Sequence, residues 1–179
     1  MKSIWVLLVT MFLFGCSAVA TVAGKTEERQ LSEFERIEVG GLVNVVLVKG
    51  TSPKAKVNAF GIDIEDIVTE VSEGVLTVTT RGFHSGEAIL VTVNYTNLSG
   101  IKTAGSATIG TDGEIVGDHL DVWITDSADA DLEVNVGRLS AKMEDSGNLR
   151  LTGHAKRQSI VSNGSAGSLN NAGLQVSED

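Results

Sequence analysis

Val122-Trp123-Ile124-Thr125-Asp126-Ser127-Ala128 returns nineteen residues later as Ala141-Lys142-Met143-Glu144-Asp145-Ser146-Gly147. The same pattern stands upstream as Ile101-Lys102-Thr103-Ala104-Gly105-Ser106-Ala107 and downstream as Ile160-Val161-Ser162-Asn163-Gly164-Ser165-Ala166. The serines are spaced by 21, 19 and 19 residues. A near-constant period of this length, with short alternating apolar runs and no helical spacing, marks stacked β repeats that each hide an inner face against the next. The prediction is an all-β fold: a single-stranded parallel β-helix, or solenoid, with coils of about 19–21 residues in the C-terminal half. Right-handed crossovers are the expected hand.

Aligned on the serines, Ile101 and Thr103 match Val122 and Ile124, Ala141 and Met143, and Ile160 and Ser162. Positions three and five before each serine therefore share a face, at the period of two that a strand imposes, and that face is the expected core. Beyond the serine, Ile109, Ala130, Leu149 and Ser168 form one inward column, and Thr111, Leu132, Leu151 and Asn170 the next. The serine and its small neighbour suit a tight corner against a layer about 4.8 Å away. The single proline of the chain agrees with backbone N–H groups that are almost all engaged between layers.

Towards the N-terminus the chain alternates through Phe34, Ile37, Val39, Val43 and Val48, then through Lys56 to Phe60, Ile67 to Val71, Val75 to Thr79 and Ile89 to Tyr95. Gly50-Thr51-Ser52-Pro53 reads as a turn, and Glu73-Gly74 as either a hairpin or a corner between coils. Ile62 to Ile67 suits a helical turn or a strand equally.

The first residues give an address. Lys2 precedes the apolar run Ile4 to Phe14, too short to span a bilayer of roughly 30 Å and therefore read as a signal-peptide core. It ends in Leu13-Phe14-Gly15-Cys16, which resembles a bacterial lipobox and makes Cys16, the sole cysteine, the expected lipidation site. Ser17 after it implies, by the same resemblance, a bacterial envelope protein carried to the outer membrane. Residues 1–15 are then a lipoprotein signal peptide, 16–28 a small and polar tether, and 29–179 the β domain. Leu174 to Asp179 repeats the start of a coil, so the last coil is expected to lie open, or the domain to be truncated.

The formal net charge is −9, and no basic residues cluster along the chain. Nucleic acid is excluded as the expected partner, as are anionic lipid surfaces. Once Cys16 is lipidated no thiol remains for disulfides or metal, and no motif implies a cofactor.

Phe34-Glu35-Arg36-Ile37-Glu38-Val39-Gly40-Gly41-Leu42-Val43-Asn44-Val45, Gly74-Val75-Leu76-Thr77-Val78 and the repeated Gly105-Ser106-Ala107, Asp126-Ser127-Ala128, Asp145-Ser146-Gly147 and Gly164-Ser165-Ala166 follow one another in an order that resembles a bacterial family. It is the auto-transporter adhesin head GIN domain family. The resemblance spans about residues 31–179 and implies an exported, often lipid-anchored parallel β-helix with no catalytic residues to carry over.

Candidate chemistry is sparse. Asp126 and Asp145 hold one position in successive repeats and form a weak candidate cation site, with Glu144 the nearest further oxygen ligand. Asp131 and Arg150 align as a surface ion pair. Trp123 should point outward between Lys102 and Lys142, a candidate partner contact through cation–π attraction or stacking on a sugar. His84, His119 and His154 read as solvated loop residues. The favoured function is non-catalytic binding or adhesion to a protein or glycan, with the N-terminal lipid holding the membrane. Self-association through an open terminal coil and a polysaccharide-active enzyme are the alternatives.

Overall fold

The computed structural model describes residues 24–82, 88–164 and 166–177. The signal segment 1–15, Cys16, the tether up to residue 23, His84, Ser165 and Asp179 lie outside the described residues. The strands are β1 (Lys25–Gln30), β2 (Arg36–Val39), β3 (Asn44–Lys49), β4 (Lys54–Phe60), β5 (Ile67–Ser72), β6 (Val75–Thr80) and β7 (Ala88–Tyr95). They continue as β8 (Gly100–Thr103), β9 (Thr108–Asp112), β10 (Ile115–Ile124), β11 (Asp129–Met143), β12 (Asn148–Ser162) and β13 (Ser168–Val176). A 3-10 turn at Ile64–Asp66 settles the ambiguous stretch before β5.

Among the described residues, all thirteen strands join one sheet with two arms. One arm runs from β9 through β3, β7 and β4 to β1, and the other from β10 through β8, β2 and β6 to β5. They meet at β11, which pairs with β9 through Asp129–Asp131 and with β10 through Val134–Met143. A sheet returning on itself in this way is nearly closed and barrel-like, and the core lies between its arms.

The purely parallel β-helix expected from the repeat is not the fold. The sheet is mixed: β1 with β4, β4 with β7 and β5 with β6 are antiparallel, while β2, β3 and β8 to β13 pair in parallel. The physical reason lies in the turns of the first half. Glu73 and Gly74 have φ of 50° and 75°, and a two-residue turn with both φ positive is the hairpin connection that reverses a strand onto its neighbour. Such a turn is far too short for a parallel crossover. Strand β1 also begins at Lys25, inside the stretch read as tether, and Arg29 anchors it by donating to the carbonyls of Ile64 and Ile67.

Within the second half the repeat steps of 21 and 19 residues are spatial steps. Ile124 is in register with Thr103 on one side and Met143 on the other, and Val122 with Ile101 and Ala141. The columns extend into the first half, Ile37 and Leu76 continuing one and Val39 and Val78 the other. All these side chains are buried, and fully burying one such aliphatic residue contributes about 1.5–3 kcal/mol. The last repeat departs from the expected columns: Leu149 faces Leu169, not Ser168, and the ladder shifts between Arg150 and Thr152. Ser168 instead faces Asn148, one residue out of the expected register, and both Ser168 and Leu169 are exposed on this last layer.

Candidate functional site

Strand alternation places Trp123 outward between the buried Val122 and Ile124, with 40% of its surface exposed. Its register partners are Lys102 on β8 and Lys142 on β11, so the two lysines approach the ring from opposite sides. Each ammonium lies 5.2 Å from the ring centroid. The indole Nε1–H donates to Glu144 Oε2 at 2.9 Å, and Lys142 Nζ reaches Glu144 Oε1 at 2.8 Å. Lys102 Nζ completes the row at 3.6 Å from Glu38. Hydrogen bonds from Lys142 first, and Trp123 second, hold the Glu144 carboxyl below its ordinary range. Both ring faces are thus covered by cations, which leaves the outer edge of the indole as its free surface. A groove of about 430 Å³ runs beside it, lined by Arg36, Gly100, Asp121 and Ser140 among others.

Asp126 and Asp145 stack as expected, but their carboxylates face backbone. Asp126 Oδ2 accepts the N–H of Gly105 at 2.9 Å, and Asp145 Oδ2 accepts that of Asp126 at 3.4 Å. Gly105, Asp126 and Asp145 have φ of 73°, 60° and 63°, a region where aspartate is tolerated because its short side chain bonds locally. Here that bond goes to the preceding repeat. Glu144 is turned to Trp123 and Lys142 and does not join them. Among the described residues no group of three or more His, Cys, Asp or Glu side chains converges as a metal site.

His119 and His154 stand on β10 and β12, not in loops as read from sequence, and His154 Nε2 lies 3.1 Å from Ser177 Oγ. Asp131 and Arg150 form the expected cross-strand pair at 3.9 Å, both well exposed, a geometry contributing about 0–1 kcal/mol.

One group escaped the sequence reading. His119, Arg138 and Arg157 are register neighbours on β10, β11 and β12, and Lys156 lies beside them. No basic cluster exists along the chain, but one exists across it. The signal was present in the spacing, since 119, 138 and 157 differ by the same nineteen residues as the core columns.

Fold and surface together define an all-β repeat domain whose polar chemistry is spread over open sheet faces. The chain belongs to the family described as "Putative auto-transporter adhesin, head GIN domain", whose model matches residues 33–178. The adhesin description places this family among cell-envelope or surface proteins. Among solved structures, a "putative adhesin" from Bacteroides fragilis is similar at TM-score 0.75 and 18% identity, over 87% of this chain and 74% of that one. A "putative adhesin" from Parabacteroides merdae is similar at TM-score 0.64 and 20% identity, over 86% and 74%. A "putative lipid binding protein" from Parabacteroides distasonis is similar at 0.63 and 15%, over 86% and 75%. At these identities the likeness is one of fold. No curated protein matches the chain.

Proposed function

We propose that the protein is a non-catalytic binding module of the cell envelope, held to the membrane by a lipid on Cys16, and that it meets a protein or glycan partner on the outer face around Trp123. The observation that carries this reading is the constrained, exposed indole. Two lysines and a glutamate hold Trp123 in one orientation beside a groove, so little side-chain freedom is lost when a partner closes over its edge. Large aromatics held in this way are common anchors of binding surfaces. Of the residues singled out for cation chemistry, Asp126 and Asp145 bond to backbone and Glu144 to Trp123 and Lys142, which supports a binding role over turnover.

The test is a glycan-array and pull-down screen with the full chain, its Trp123→Ala variant and its Cys16→Ala variant. A partner retained by the parent and lost by Trp123→Ala supports the contact; equal retention removes Trp123 from it. Cys16→Ala should leave the membrane fraction while keeping the partner. Hydrolysis or elimination of any retained glycan would overturn the non-catalytic reading.

A further inference from the structure

Arg138 and Arg157 face each other across the parallel ladder of β11 and β12, and His119 continues the row on β10. All three project from the exposed side, at the strand spacing of about 4.8 Å. Like charges directly opposite one another on a sheet are destabilising. Lys25, Arg29, Lys54, Lys102, Lys142 and Arg150 are ion-paired. Among the described residues Arg138, Arg157 and Lys156 make no ion pair or side-chain hydrogen bond, although the chain carries 23 acidic residues against 14 lysines and arginines. The row thus carries positive charge that no ion pair among the described residues neutralises.

The row borders a groove of about 510 Å³ lined by Asp118, His119, Gly137, Arg138, Lys156 and Arg157. Gly137 lies at a notch in the row where the strands approach closely, and a Cβ there would meet the Asp118 carbonyl oxygen at 2.6 Å. Lys156 stands on one side of the notch and Asp118 on the other. Arginine forks bind carboxylates and sulfates through paired hydrogen bonds, and a carboxylate such as that of Asp118 accepts from hydroxyls. A row running across successive strands suits a ligand with anionic groups at intervals along an extended chain. A nucleic acid or a broad anionic membrane surface would demand more positive charge than a chain of net −9 supplies.

We infer that this groove binds an acidic polysaccharide, its carboxylate or sulfate groups held by Arg138, Arg157 and Lys156 and a sugar hydroxyl by Asp118. The lining of this groove does not include Trp123, so the site is separate from the Trp123 contact.

The experiment measures binding of the full chain to polygalacturonate and to heparin, with dextran as the neutral polymer, at low and high salt. Binding to one or both polyanions, absent on dextran and weakened by salt, is expected, and their relative affinities separate carboxylate from sulfate recognition. Arg138→Gln and Arg157→Gln should each weaken it by about tenfold, while the remote Lys56→Gln leaves it unchanged. Thermal melting of each variant separates lost binding from lost fold, and Arg138→Lys, which keeps the charge but not the fork, should fall between. Absence of polyanion binding by the parent, parental affinity in a folded Arg138→Gln/Arg157→Gln double variant, or tighter binding to anionic vesicles or oligo-dT would each overturn the inference.

Discussion

Asp126 stands one repeat beyond Gly105 and accepts its backbone N–H through Oδ2 at 2.9 Å, while itself holding a φ of 60°. One residue thus closes its own corner and satisfies the corner before it. Asp126→Ala loses the hydrogen bond and leaves a Cβ in left-handed backbone without local support, costing about 2–3 kcal/mol. Asp126→Gly, freed of the backbone cost, should lose only about 1 kcal/mol. Urea unfolding of the two variants checks the order, and equal losses would contradict it.

Thr103 occupies the core column between Val39 and Ile124, fully buried, with its Oγ1 unpartnered. A buried hydroxyl without a partner costs about 1–3 kcal/mol. Replacing it by valine keeps the shape and removes the oxygen. Thr103→Val should raise the urea midpoint without changing the slope of the transition, by about 1 kcal/mol.

Ile124 and Met143 are in register in neighbouring layers and both are buried. Removing either leaves a cavity that the other borders. A double-mutant cycle with Ile124→Ala and Met143→Ala should show coupling of about 0.5 kcal/mol or more. Met143→Ala combined with Val57→Ala on β4, a strand of the other arm, should be additive by the same measurement.

The Glu144 carboxyl is held below its ordinary range by Lys142 and the Trp123 indole. A depressed carboxyl keeps its interactions above the unfolded-state pKa and loses them as pH falls through the lower folded-state value. The Trp123 Nε1–H resonance should therefore move at a pH below the usual glutamate range, and Glu144→Gln should abolish that movement. A midpoint within the ordinary range would contradict the geometry.

Much of the second half was legible because its repeat is close to exact. The columns through Ile101, Val122 and Ala141, and through Thr103, Ile124 and Met143, follow from alternation plus repeat steps of 21 and 19. The slip from Ser168 to Leu169 was not, because a register shift of one residue changes no local pattern. Trp123 between Lys102 and Lys142 was also readable from the register. The covering of both ring faces, and the turning of Glu144 away from Asp145, depend on side-chain directions that spacing does not carry.

By itself the chain determined that it is all-β, which repeats lie next to one another and, up to the last repeat, which side chains of the second half face inward. Tertiary structure alone decided strand direction in the first half and the near closure of the sheet. The reason is that side chains alternate with a period of two in parallel and antiparallel strands alike, so alternation is silent on direction. The basic row of His119, Arg138 and Arg157 belongs to the same class of fact: it lies along the stacking axis, perpendicular to the chain, where only pairing between distant strands brings charges together.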